Sequence, residues 1–253
     1  MADKDLLFQY CLRMGDTHNV LSHRMAEWCS NAHILEEDIA MTNISLDHLG
    51  AASIWLTYAG EVEGKGRTED DLTFHRDERA YYNMLIAELP NGNFADTIAR
   101  NFMFDAFAKL YYGQLINSAD ETIAGIAAKV LKEANYHVKH SAQWMLRLGD
   151  GTDESKTKMQ AAINEVWRFT GNMFEMDATD QTLADAGVGV DVTALKSDWM
   201  NMVTEVVEKS TLTMPSADEF MMTGSKEAIH TEALGHMLAE MQFLPRAYPT
   251  AKW

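Results

Sequence analysis

Nowhere in this 253-residue chain does an apolar run approach the ~18 residues that a membrane-spanning helix needs, so no transmembrane segment is expected. The N-terminal run Met1-Ala-Asp-Lys-Asp5 has no apolar stretch of signal-peptide length, and the expected location is the cytoplasm. Cysteine is scarce: Cys11 and Cys29 have no C-x-x-C or other metal-type spacing, and both are expected to be reduced, buried and inert. Of only four prolines, Pro215, Pro245 and Pro249 lie beyond residue 210, which leaves the body of the chain almost free of helix breakers. Lys and Arg number 21 against 38 Asp and Glu, a net charge of −17, and no basic cluster could track a phosphate backbone, so nucleic acid is excluded as a partner. The acidity serves either solubility or contact with a more basic subunit, and charge alone does not choose between them. There is no glycine-rich phosphate loop between a strand and a helix, no locally supported Ser/His/Asp set and no repeat of fixed period.

What remains is a methionine-, alanine-, leucine- and glutamate-rich chain that is 47% hydrophobic, enough for a continuous core and suited to helices. Helical periodicity runs through 5–29 and then 34–62, where Leu35, Ile39, Leu46, Leu49, Ser53 and Leu56 recur at spacings of three, four or seven before Gly60, Gly64 and Gly66. A third helix is expected over 68–89, stopped by Pro90 and Gly92. Residues 94–117 hold no proline and predict a helix roughly 36 Å long. In 121–148, Val130, Ala134, Val138, Ser141, Met145 and Leu148 form the cleanest amphipathic stripe in the chain. A helix from Thr152 or Asp153 to about Met176 follows, then an acidic loop over 177–190, a helix over 193–210 and a last segment over 224–244. Short connections between long helices predict an all-α fold: a four-helix bundle core with additional helices, one domain over 1–253, with 211–253 a C-terminal extension packed on the bundle or on a partner.

A carboxylate-bridged di-iron bundle takes a Glu from each of two helices and a Glu-x-x-His from each of the other two, because a spacing of three sets both ligands on one inward face. This chain reads Glu78-x-x-Tyr81 and Glu133-x-x-Tyr136 instead. Its central helices offer Asp47 with neighbouring His48, Glu78, Asp105, and Glu133 with His137, which stands four residues on. A spacing of four also places two ligands on one face, so Glu133 and His137 are either metal ligands or a hydrogen-bonded interior pair. Lys109 and Lys129 either neutralise buried carboxylates in place of a metal or point to water. The one Glu-x-x-His, Glu227-Ala-Ile-His230, lies outside the core helices and reads as a surface or interface helix rather than a metal site. Tyr81, Tyr82 and Asn83 line a ligand entry or are core residues with satisfied hydroxyls. Trp28, Trp55, Trp144, Trp167 and Trp199 read as packing residues.

Several longer strings carry a resemblance. Arg13-Met-Gly-Asp16, Phe74-His-Arg-Asp-Glu-Arg79, the run from Leu89 to Arg100, Lys132-Glu-Ala-Asn-Tyr-His137, the run from Trp144 to Thr152, Trp167-Arg-Phe-Thr170 and the run from Thr231 to Gln242 resemble, collinearly, the C-subunit family of the bacterial phenylacetyl-CoA epoxidases. The resemblance implies a ferritin-like fold and a noncatalytic structural subunit of a multicomponent monooxygenase in phenylacetate degradation. It implies a paralogous A subunit that carries the di-iron centre, an A2C2 heteromer, further subunits, and a flavin/iron–sulfur reductase fed by NADPH. On that resemblance this chain binds no metal or other cofactor and has no catalytic residue, and Asp47, Glu78, Asp105, Glu133 and His137 are vestigial metal-site positions. Contacts with phenylacetyl-CoA, at a site shared with the A subunit, map to Ala80, Tyr81, Tyr82 and Asn83 and to Gln181, Thr182 and Leu183. Two other functions stay open: a di-iron oxygen-activating protein using Asp47, Glu78, Asp105, Glu133 and His137, and a free CoA-thioester binding module.

Overall fold

Helix caps written into the sequence start most of the long elements. The structure is a computed structural model that describes residues 3–251; Met1-Ala2 of the N-terminal run and Lys252-Trp253 of the extension lie outside the described residues. Asp3 caps helix α1 (Lys4–Ala26), its carboxylate accepting from the Asp5 amide at 2.9 Å. Helix α2 (Leu35–Glu63) ends where Gly64 turns left-handed at φ 70°, a conformation that costs glycine little. A capping box between Thr68 and Asp71 opens the six-residue helix α3 (Glu69–Phe74), and another between Asn93 and Asp96 opens α4 (Phe94–Leu115). Asp120 caps α5 (Glu121–Gly149) and Thr152 caps α6 (Asp153–Trp167). Then come α7 (Ala178–Asp185), α8 (Val192–Lys209), α9 (Glu232–Met241) and α10 (Phe243–Ala247). No strand occurs among the described residues; the fold is all-α and ferritin-like in class.

Two compact units divide these helices: Met1–Glu88 with Gly224–Trp253, and Leu89–Thr223. In the first, α1 and α2 form a long helical hairpin, with α3 on α2 and α9 against α10. From Leu7 to Met25, α1 is buried almost all round and carries Arg13, Asp16, Thr17, His18, Asn19, Ser22 and Arg24 into the interior. Such a helix folds only if its polar groups find partners. In the second unit, α4 and α5 form the other long hairpin, and α6 and α8 pack on both. Trp199 of α8 is fully buried, its indole N–H donating to the Met103 carbonyl at 3.0 Å, with the Trp167 and Phe174 rings 5.7 and 5.2 Å away.

Three stretches depart from the sequence expectation. Helix 68–89 does not form: beyond Phe74 the chain runs through 3-10 turns at Glu78–Ala80 and Leu85–Glu88. The cause is long-range, since the Tyr82 amide donates to Asp16 and the Met84 amide to the Thr17 hydroxyl, bonds that replace the helical ladder. The helix expected to reach Met176 stops at Trp167, where the Thr170 hydroxyl folds back on the Trp167 carbonyl and the Arg168 carbonyl accepts from the Met222 amide. The acidic loop is largely helix α7, because Asp177 and Asp180 form a capping box.

Apolar facing also differs along α2. Leu35, Ile39, Leu46 and Leu49 are exposed at 71, 53, 58 and 46%, whereas Met41, Ile44, His48, Ala51, Ala52, Trp55 and Leu56 are buried. Helix α5 behaves as expected, with Val130, Ala134, Val138, Ser141 and Met145 buried and Leu148 half-buried. Cys11 is buried, but Cys29 is exposed, contrary to expectation. Trp28 and Trp144 are half-buried and Trp55, Trp167 and Trp199 buried. No described helix is long and apolar enough to cross a membrane.

At Gly149, which ends α5, a Cβ would sit 2.2 Å from the Ser210 carbonyl oxygen, and the Gly149 carbonyl itself accepts from Thr211 at 2.9 Å. Neither side can yield cheaply. Gly149→Ala is therefore expected to cost about 1–3 kcal/mol in thermal or urea unfolding; unchanged stability would show that the junction of α5 with residues 210–212 is loose.

Candidate functional site

The polar groups that α1 buries in the first unit converge on the irregular segment after α3. Asp16, wholly buried, pairs with Arg76: Nη1 lies 3.0 Å from Oδ2, and Nη2 meets Oδ1. Burial works against the Arg76 charge, but the charge and hydrogen bonds of Asp16 outweigh it and hold the guanidinium above even its usual basicity. Arg76 also donates to the Leu72 and Ala80 carbonyls and lies 4.3 Å from the Tyr81 ring centroid. The Tyr81 hydroxyl donates to the Thr73 carbonyl, and Gln242 donates to the Thr73 and Arg76 carbonyls at 3.0 and 2.9 Å. Burial pushes the phenol well above its normal range, against the pull of Arg76.

A second cluster lies beside it. Glu88 is fully buried, and its carboxylate accepts from the Thr231 amide at 2.7 Å and from Asn83 Nδ2 at 2.9 Å, with His230 Nδ1 at 2.6 Å. His230 Nε2 faces the Tyr81 carbonyl at 2.9 Å. With both ring nitrogens facing oxygens, the arrangement favours the imidazolium, which can donate to both. Burial opposes that charge, but the bond and charge of Glu88 prevail and raise the His230 pKa. Glu227-x-x-His230 is thus neither a metal pair nor a surface helix: Glu227 closes a 3-10 turn, Ala228 takes φ 54°, and the His230 side chain turns inward to Glu88.

In the second unit, Asp105 of α4 and His137 of α5 come together. Both are buried, and the Ser141 hydroxyl lies 2.8 Å from Asp105 Oδ2 and 2.9 Å from the His137 carbonyl. Burial pushes the Asp105 carboxyl up to about 6, with His137 and Ser141 holding it back from a larger rise. Glu133, one turn before His137, is half-buried, Tyr136 is 52% exposed, Lys109 is half-buried and Lys129 exposed.

Residues 1–253 match the family described as Phenylacetic acid catabolic protein. The chain belongs to that family. It is 47% identical over 247 residues, covering 98% of this chain and 99% of the relative, to the C subunit of 1,2-phenylacetyl-CoA epoxidase from Escherichia coli (strain K12). The family resemblance carried by the sequence strings is borne out.

The five positions expected to face a metal are not all gathered inward. Glu78, expected on a core helix, sits exposed on a 3-10 turn at the rim of a cleft of about 520 Å³ that Leu238, Phe243 and Arg246 also line. Its carboxylate lies close to α9, since a Cβ on Gly235 would come within 2.9 Å of Oε2. Tyr81, at the imidazole position after Glu78, has its hydroxyl engaged by a backbone carbonyl. Asp47 is half-buried on α2. Asp105 and His137 bring two buried donors together within the second unit and His48 is buried on α2 in the first, where a di-iron bundle takes four carboxylates and two imidazoles.

Among the residues implied for substrate contact, Ala80 lends its carbonyl to Arg76, Tyr82 is half-buried, and Tyr81 and Asn83 are fully buried. The Asn83 Oδ1 is buried without a hydrogen-bond partner. Gln181 and Thr182 are exposed on α7, bonded to Asp185 and to the Ala178 carbonyl, while Leu183 is fully buried. The sequence reading missed Asp16, Arg76, Glu88 and Gln242, whose partners lie far along the chain and leave no local signal.

Arg76→Met should destabilise the protein by roughly 3–5 kcal/mol, because it strands a buried carboxylate. Combining it with Asp16→Asn should cost clearly less than the two single changes summed, and simple additivity in urea unfolding would show that the pair is not coupled. Asp105 supplies a pH test. A carboxyl whose folded pKa is about 6 against an ordinary 3.8 binds its proton more tightly when folded, so its contribution to stability falls as pH rises from about 4 to 6. Asp105→Asn should stabilise the protein at pH 7.5 by on the order of 2–3 kcal/mol. The gain should vanish near pH 4, and thermal scans across that range that keep a constant difference would contradict the buried-carboxylate reading.

Proposed function

We propose that this chain is the noncatalytic structural subunit of a phenylacetyl-CoA epoxidase, a multicomponent monooxygenase of phenylacetate degradation, and that it stabilises the di-iron catalytic A subunit. The observation that carries the reading is the placement of Glu78 and Tyr81: the carboxylate is exposed on a 3-10 turn, and the tyrosine in place of an imidazole ligand is buried with its hydroxyl bonded to Thr73. The relation to the C subunit of an epoxidase over 98% of the chain supports the same role. In this reading the cytoplasmic chain works as one domain over 1–253 with 211–253 as its extension. It assembles with the A subunit as A2C2, and the iron, the flavin/iron–sulfur reductase and the NADPH-derived electrons belong to its partners. Ala80 to Asn83 and Gln181 to Leu183 are proposed as separate contacts for phenylacetyl-CoA.

The deciding measurement is iron content after anaerobic Fe(II) loading and desalting. The isolated chain should hold close to no iron, while the complex copurified with the A subunit should hold about two irons per pair. Two irons in the isolated chain, lost on Glu133→Ala, would make it a di-iron protein in its own right.

A further inference from the structure

Helix α2 has two apolar faces, and only one is used inside this chain. Met41, Ile44, Ala51, Ala52 and Trp55 are buried, on the helix that forms the hairpin with α1. On the other face, Leu35, Ile39, Leu46 and Leu49 stand 71, 53, 58 and 46% exposed. With Thr42 and Ser53 they fall at 35, 39, 42, 46, 49 and 53, alternating steps of four and three. That is a repeat of 3.5 residues, the spacing that keeps a seam in register with a second helix in a left-handed coil. An exposed helix facing only water has no need of it, and four large aliphatic side chains in one row are a contiguous patch of the kind that marks an interaction surface.

Charge selects the occupant. Across its 29 residues α2 contains no Lys or Arg, while Glu36, Asp38 and Asp47, exposed or half-buried, lie beside the seam. A second copy of this chain would set carboxylates against carboxylates, and the net charge of −17 adds long-range repulsion. A helix with an apolar seam and Lys or Arg on its flanks meets neither penalty and gains the flanking ion pairs that set partner choice in such coils.

We propose that the Leu35–Ile39–Leu46–Leu49 seam of α2 is the docking strip for one helix of a different chain, apolar along its centre and basic on its flanks. The assignment rests on the reading of this chain as a supporting subunit, and that helix belongs to the A subunit. The test is sedimentation and titration binding of the purified A subunit to the full-length chain, unaltered and as the double variant Ile39→Ser/Leu46→Ser. Those side chains are exposed, so the variant should fold, which circular dichroism and thermal unfolding check; Leu35→Ser/Leu49→Ser is the second variant should the first not fold. The expected result is a complex with the unaltered chain, at least tenfold weaker binding by the seam variant, and a shallower salt dependence for Glu36→Gln/Asp38→Asn. If the unaltered chain forms the complex and the seam variants bind within twofold of it, the seam assignment is wrong while the supporting role stands. If the unaltered chain forms no complex with the A subunit, the role itself falls. A dimer of the chain alone that the seam variant abolishes would hand the seam to a second copy and overturn the proposal.

Discussion

The first unit depends on one buried ion pair. Asp16 enters the interior on a helix that has no solvent-facing side along most of its length, and a cation brought to it makes that burial tolerable. Arg76 is that cation, sixty positions away, and it ends the helical run after α3 because its guanidinium must reach both the aspartate and the Ala80 carbonyl. Once the chain leaves the helix there, Tyr82 and Met84 give their amides to α1, and Tyr81 lies under the guanidinium. The stretch from Glu78 to Tyr81 is thus a turn whose shape answers to Asp16.

Polar burial has a different character in the second unit. Asp105 has a hydroxyl and an imidazole nearby but no arginine pair like that of Asp16, so its carboxyl rises toward neutrality while Arg76 stays charged. The two units thus accommodate a buried carboxylate differently: one with a permanent cation, the other by making protonation easy.

The long helices were legible because their signals are local. Asp3, Asn93, Asp120 and Thr152 each cap the helix that follows, and the stripe on α5 is buried where its periodicity puts it. Where the reading failed, the cause lay far along the chain. The segment from His75 to Glu88 is a good helix former that α1 unwinds, and His230 finds its carboxylate at Glu88 rather than three residues before it. On α2 the periodicity was real but the face it marked is exposed: a helix with two apolar faces gives no local sign of which one its own chain uses. The acidic run after Met176 looked like loop because aspartates there were counted as charge rather than as caps.

The closing segment of the first unit also bears on how the chain is made. Glu88 is 142 positions ahead of the imidazole that lies beside it, and Gln242 and Arg246 reach back still further to the backbone of residues 73–76. The second unit is continuous in sequence and can complete itself as soon as Thr223 has left the ribosome. The first cannot: during the whole synthesis of the intervening stretch, Glu88 waits without its histidine and the Thr73 and Arg76 carbonyls without their glutamine. Order of completion therefore runs against order of synthesis, and some of the earliest residues translated are among the last to gain their partners.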